Sequence, residues 1–260
     1  MNRKLWSAIT GLCGALAFIL WALPSVAQNP PVKEKAPLYI YVAEWQIPRA
    51  HWGEMSQDSA ANKAILDKAL ADGTIVGYGN DETLVHQIDG ATHDNWWSSM
   101  SMAGLIKVLD QFYDSPGSTS SALATATKHW DLVLVSRYYG SHSGSWKTAY
   151  TEVSTYQLKA DAPGDAVDLL SANLVAPLLE KELGEGTILS YSIDTQAIHT
   201  DTPGGFAIVY TTSRPDGIDK VNAAVGEALK SQPLSGPAFL SMVDFGAHRD
   251  YLSRGEGTLK

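Results

Sequence analysis

The chain has 260 residues, 45% of them hydrophobic and 18% charged. This is ordinary globular usage, and it excludes a disordered, collagen-like or disulfide-scaffold protein. Acidic residues outnumber basic ones 28 to 19, which argues against nucleic acid as a partner, because phosphate binding needs a basic face. The single cysteine, Cys13, forms neither an internal disulfide nor a thiolate metal cluster.

Residues 1–27 read as a secretory signal peptide. Arg3 and Lys4 give the positive start, residues 5–23 are apolar, Pro24 breaks the helix, and Ser25-Val26-Ala27 supplies small residues at the cleavage site. The alternative is a retained anchor, since the apolar run is about long enough to span a bilayer. Cleavage after Ala27 removes two basic residues and takes the formal charge from -9 to -11. The mature chain then lacks cysteine, and an exported protein without disulfides must be held by a packed core. Residues 28–37 (QNPPVKEKAP) read as an extended linker. No later segment is apolar enough to span, so a soluble, exported protein without a membrane partner is expected, as monomer or homodimer.

The remaining chain repeats itself. Gly73-Thr74-Ile75-Val76-Gly77-Tyr78 aligns with Gly186-Thr187-Ile188-Leu189-Ser190-Tyr191, and Asp81 and His86 then meet Asp194 and His199. That is six identities in 14 positions at an offset of 113. Upstream the offset becomes 111, where Tyr39, Val42, Trp45 and Gln46 meet Tyr150, Val153, Tyr156 and Gln157. Ordered matches of this kind indicate a tandem duplication.

In chain order, residues 39–47 are rich in Tyr, Ile, Val and Trp and predict a strand. A helix follows, burying Ala61, Ile65, Leu66, Ala69 and Leu70, with Gly73 at its C-terminal end. Residues 74–78 predict the second strand, and residues 84–88 with 93–98 the third strand and its loop. Met102, Leu105, Ile106, Leu109, Phe112 and Tyr113 follow the spacing of one buried helical face. A small polar loop, 115–127, leads to the strand 131–139. The second repeat predicts a strand at 150–158, then a helix containing Val167, Leu170, Leu174 and Leu178 that Pro177 kinks or splits. A hairpin at 187–193 and 206–212, a helix at 218–229 and a closing strand at 240–245 complete it. Residues 140–145 (GSHSGS) read as the linker between halves.

Each half is therefore β-α-β-β-α-β, the ferredoxin-like unit. The expected fold class is α+β, with repeats over 38–139 and 150–250 packed sheet to sheet as a barrel. This order, with the duplicated GTI-x-x-Y segment and its distant His, resembles the dimeric α+β barrel superfamily. That superfamily includes small monooxygenases of the antibiotic-biosynthesis type, EthD-like proteins and haem-handling relatives. The resemblance implies either a ligand-binding protein or a small cofactor-free or haem-linked oxidoreductase, and it fixes no single activity.

Five of the six tryptophans outside the signal segment, Trp45, Trp52, Trp96, Trp97 and Trp130, lie in the first half, and none lies after Trp146. Such a bias suits a pocket for a planar small molecule, or core packing. We expect the ligand in or at the mouth of the barrel, near Trp45, His86, His93, Trp97 and Arg137. His93 stands in a polar-aromatic cluster with general-base chemistry available to it, and the same residues also suit a turn and a helix cap. His86 and His199 match between repeats but lie in no metal-ligand spacing, so no metal is expected. For cofactors, none is the first expectation, with haem as the alternative. Arg137, in an apolar strand, needs either an anionic ligand or a salt bridge to Glu44. No nucleophile elbow or phosphate loop is present.

Overall fold

Strand alternation in β1 (Leu38–Gln46) decides the layout. Tyr39, Tyr41, Ala43 and Trp45 point to one side, and Leu38, Ile40, Val42 and Glu44 point to the other. The odd side packs under helices, and the even side faces a central cavity. The computed structural model describes residues 30–115, 121–200 and 203–260, without the side chains of 56–61. The expected signal peptide and the expected burial of Ala61 lie outside the described residues.

The first half continues through α1 (Met55–Ala71), β2 (Gly77–Val85), β3 (His93–Ser99), α2 (Met102–Asp114) and β4 (Lys128–Ser141). The second runs β5 (Gly144–Leu158), α3 (Ala166–Leu170), a π-helical turn (Ser171–Val175), α4 (Ala176–Gly184), β6 (Ser190–Ile198), β7 (Gly205–Thr212), α5 (Asp216–Ser231), α6 (Ser235–Met242) and β8 (Val243–Leu259). Strand order is β4-β1-β3-β2 in one sheet and β8-β5-β7-β6 in the other, the same arrangement twice. Each half's last strand pairs with the other half's second strand, β2 with β8 and β4 with β6, so the two sheets close into one eight-stranded antiparallel barrel. The expected α+β class, with two ferredoxin-like units forming a barrel, is the observed fold. Among the described residues, no helix is long and apolar enough to cross a membrane.

The hydrophobic cores lie outside the barrel, between each sheet and its helices. Leu66, Leu70, Ile75, Trp97, Leu105 and Val108 fill the first; Leu170, Leu179, Ile188, Tyr191, Phe206 and Val221 fill the second. The duplicated segments do matching work. Ile75 and Ile188 are both fully buried. The Tyr78 hydroxyl donates to Asp67 on α1, and the Tyr191 hydroxyl donates to Glu180 on α4. Gly73 and Gly186 hold φ of 78° and 72°, the left-handed turn that ends each preceding helix. Replacing either by Ala is expected to cost about 1 kcal/mol in urea unfolding, with the two costs alike, because a β-carbon disfavours that conformation.

Four elements differ from expectation. The GTI segments do not open strands. Gly73 and Ile75 donate back to Leu70 and Ala69, and Gly186 and Thr187 to Leu183 and Glu182, which ties both segments to helix ends and delays β2 and β6. Residues 84–88 finish β2 and enter a turn, leaving β3 to begin at His93. The expected linker 140–145 is mostly strand, with only His142 and Ser143 between β4 and β5. Residues 240–242 end α6, and β8 then runs from Val243 to Leu259, beyond the expected strand 240–245. Pro177 does fall at a helix split: the π turn runs directly into α4, the Ala176 amide donates to Ser171, and Pro177, with no N–H, breaks the ladder there, while the Ala172 carbonyl accepts from the Val32 amide. Residues 30–37, expected as linker, dock on the barrel. The Val32 and Lys35 amides donate to Ala172 and Arg137, and the Lys35 ammonium pairs with Glu180 at 3.1 Å.

Candidate functional site

Two cavities follow from the alternation. A cleft of about 470 Å³ lies on the outer face of the first sheet, beneath α1 and α2. Its walls include Tyr41, Trp45, Trp97, Phe112 and Tyr113, with Lys63, His129 and Asp131 as polar groups. The barrel interior is larger, about 890 Å³, and its walls include Glu44, Asp81, Asp94, Trp96, Trp130, Asp194 and Tyr251.

The expected site residues divide between these places. Trp45 and Trp97 wall the outer cleft and not the barrel, because odd positions of β1 and β3 face the helices. Trp97 stacks on Tyr41 at 4.2 Å between ring centres. His93 is buried on the outer face too, edge-on to Trp52 at 5.1 Å, and Thr92 Oγ1 lies 3.1 Å from its Nδ1. Burial lowers its pKa below the usual imidazole value, so the ring resists protonation. His86 alone reaches the barrel, as an exposed residue at its mouth. Arg137 lines neither cavity. A register shift between Ser136 and Tyr138 turns it outward, where it pairs with Glu34 at 3.2 Å. The expected Arg137–Glu44 bridge is therefore absent: Glu44 faces inward and accepts from the Trp130 indole N–H.

The outer cleft carries a constellation that the expected list missed. His129 stacks on Trp45 at 5.0 Å with rings 8° from parallel. Its Nδ1 donates to the Glu44 carbonyl at 3.0 Å, and its Nε2 lies 3.4 Å from Asp131 Oδ1. Since Nδ1 must carry a proton, the Nε2 lone pair faces a carboxylate oxygen unless a second proton lies between them. Asp131 Oδ1 is buried and makes no hydrogen bond. The pair is a place to hold and release a proton beside an aromatic slot.

The same pair recurs in the second half. His248 stacks on Tyr156 at 4.3 Å, its Nδ1 donates to the Thr155 carbonyl at 3.0 Å, and its Nε2 lies 3.1 Å from Asp250. In both halves a His-x-Asp triplet on the last strand meets the same positions of the first strand. The copies have diverged in two ways. Ser154 donates to Asp250 at 2.7 Å, whereas the matching position in the first half is Ala43, and Asp131 is met instead by the Tyr41 hydroxyl. Phe239 of α6 packs on Tyr156 at 5.1 Å and Phe245 lies 5.0 Å from His248. His248 is thus 17% exposed against 44% for His129. The second imidazole is covered and the first is open, while Asp250 is the more exposed of the two carboxylates. The sequence signal was the spacing itself: residues two apart on a strand share a face.

Haem does not fit these residues. Both ring nitrogens of His129 and of His248 already face oxygens. Among the described residues, the barrel walls present carboxyl groups and no arginine to receive propionates. Among the described residues, no three His, Cys, Asp or Glu side chains group to hold a metal ion.

No family model matches the sequence, and no curated protein matches it. Solved structures do match the fold. A candidate monooxygenase from Lactobacillus acidophilus NCFM superposes with TM-score 0.56 at 12% identity, covering 85% of this chain and 94% of its own. A candidate monooxygenase from Fusobacterium nucleatum gives 0.56 at 8% identity, covering 86% and 95%. An anthrone oxidase-like protein gives 0.51 at 9% identity, covering 88% and 94%. The protein shares its fold with these structures and carries both barrel halves in one chain.

Proposed function

We propose that this protein binds a planar aromatic small molecule in the outer cleft of the first half. The observation that carries the reading is the open His129–Asp131 pair at the edge of a slot walled by Trp45, Trp97 and Phe112. Flat rings stack there with large area buried at low entropic cost. A ring hydroxyl or carbonyl would meet the pair, and Asp131 Oδ1 lacks a donor that such a ligand would supply. Anthrone and 2-naphthol are suitable probes, read by quenching of tryptophan fluorescence. Saturable quenching is expected, and Trp45→Ala and His129→Gln should each weaken it at least tenfold. A decahydronaphthol that binds as well as naphthol would refute the aromatic slot.

The same pair favours a second reading, a cofactor-free oxidation. Asp131, with His129 Nε2 3.4 Å away to share the proton, is placed to take the acidic ring proton of an anthrone-type substrate, leaving a carbanion that dioxygen oxidises to the quinone with release of water. Oxygen uptake with anthrone, lost in His129→Gln while quenching persists in weakened form, is the expected signature. Binding without uptake leaves the binding protein. We also propose export with a mature start at Gln28, from the order of charged, apolar and small residues at the N-terminus. N-terminal sequencing of secreted material checks it, and a chain that retains Trp21 contradicts it.

A further inference from the structure

Pairing register places three carboxyl groups side by side inside the barrel. Glu44 of β1 lies opposite Asp94 of β3, and Asp94 lies opposite Asp81 of β2. All three point into the cavity, and each is at least nine-tenths buried. Like charges directly across a ladder oppose folding, so the row calls for an explanation. Its two outer members are anchored. Glu44 accepts from the Trp130 indole, and Asp81 accepts from the Trp96 indole at 3.1 Å. Asp94, between them, receives no hydrogen bond from any described residue. A buried carboxyl left without a donor normally costs roughly 1–3 kcal/mol.

The rest of the wall has one electrostatic sense. Asp194 of β6 adds a fourth carboxyl, with Oδ2 accepting from Ser192 at 2.8 Å and Oδ1 unpaired. The Tyr251 hydroxyl of β8 feels all four carboxyls. The facing residues of β4, β5 and β7 are uncharged, among them Leu132, Val153 and Val209, while Asp131 borders the cavity but turns to His129. Among the described residues, no arginine lines the interior. The lysine of the lining, Lys260, donates its ammonium to the Leu70 and Ala71 carbonyls at one end, and His86 stands at the mouth. Anionic ligands are therefore rejected. The carboxyls are also not grouped to share one metal ion.

We propose that the barrel interior is a second binding site, separate from the outer cleft, for a small organic ammonium ion. The nitrogen sits on Asp94 between Glu44 and Asp81. An ammonium supplies the donor Asp94 lacks, with Glu44 and Asp81 flanking it. The Trp96 and Trp130 rings beside the row add cation–π attraction. Ile40, Val42, Leu132 and Leu134 continue the wall as an apolar stretch for the body of the ligand. The cavity volume lies within the range of about 300–1,000 Å³ typical of ligand sites.

Binding must release protons, because desolvation pushes Asp81 up to about 7 and Asp94 well above the carboxylate range. Calorimetry with phenethylammonium tests the proposal, with 2-phenylethanol as neutral counterpart and phenylacetate as anion. Expected results are saturable ammonium binding that tightens at least tenfold from pH 6 to 8. At pH 7 it should release protons, seen as a heat that changes with buffer ionisation enthalpy. The alcohol and the anion should bind at least tenfold more weakly. Asp94→Asn should weaken ammonium binding more than tenfold while the circular dichroism spectrum stays native. If that variant fails to fold, the comparison of the three probes on the unaltered protein still decides. Equal binding of ammonium and alcohol, no ammonium binding at millimolar concentration, or unchanged binding in a folded Asp94→Asn overturns the proposal. None of these outcomes bears on the outer cleft.

Discussion

Raising the pH from 5 to 8 is expected to lower the thermal unfolding midpoint by roughly 10 °C, given about 2–4 °C per kcal/mol for a chain of this size. Most proteins lose stability towards acid because their native carboxylates are held ionised. Here burial raises the carboxyls of the barrel wall instead. Burial pushes Asp81 up to about 7 and Asp194 up to about 6. Asp94 goes further, through burial and then the neighbouring charges of Asp81 and Glu44. Each of these groups binds its proton more tightly folded than unfolded. Their contribution is therefore complete below the ordinary carboxyl value and is lost as pH climbs through the folded one. Asp81 alone accounts for about 2 kcal/mol between pH 5 and 7. His93 acts in the opposite direction, because its buried ring resists protonation below about 6.5, but it is one group against four, since burial raises Glu44 as well. Melting curves by circular dichroism at half-unit steps would show the decline. Asp94→Asn should flatten it, since an amide cannot ionise. A midpoint that rises or stays level from pH 5 to 8 would defeat this account.

Which parts of this molecule the sequence disclosed follows from the kind of signal each part left. Apolar periodicity marked β1, α2 and β7, because their buried faces repeat every two or three to four residues. The duplication was readable because Gly73 and Gly186, Ile75 and Ile188, and Tyr78 and Tyr191 serve one role each in both halves. β8 escaped because its burial alternates weakly and Gly246, Gly255 and Gly257 lower its strand propensity. The aromatic bias of the first half was visible, but which face each tryptophan takes depends on sheet closure. A strand buried on both sides gives no polar alternation to read. Trp45 and Trp97 were thereby assigned to the wrong side of the sheet. Glu44, Asp81 and Asp94 are far apart in sequence and become neighbours only through register. Arg137 misled because a local bulge breaks the period on which its inward placement rested.

That closure predicts unequal behaviour at two matching positions. Ser136 lies opposite Asp194 on the β4·β6 seam, and Gly255 lies opposite Asp81 on the β2·β8 seam. Asp81 and Asp194 are the same position of the repeat, so Ser136 and Gly255 correspond. The first seam makes room for a side chain by its shift after Ser136, whose Oγ donates to the Ile193 carbonyl at 2.8 Å and accepts from the Ile193 amide at 3.2 Å. The second seam has no shift there. A β-carbon on Gly255 would stand 2.0 Å from the Asn80 carbonyl oxygen and 2.3 Å from Asp81 Oδ1. Backbone cannot move aside as a flexible side chain does, so the strands must part or Asp81 must leave its indole partner. Gly255→Ser is expected to cost about 3 kcal/mol or more, whereas Ser136→Gly, which only removes hydrogen bonds and adds chain freedom, should cost about 1–2 kcal/mol. Urea unfolding of the two variants side by side measures the difference. If Gly255→Ser unfolds within 1 kcal/mol of the unaltered protein, the close approach at the β2·β8 seam is not what holds the halves in register.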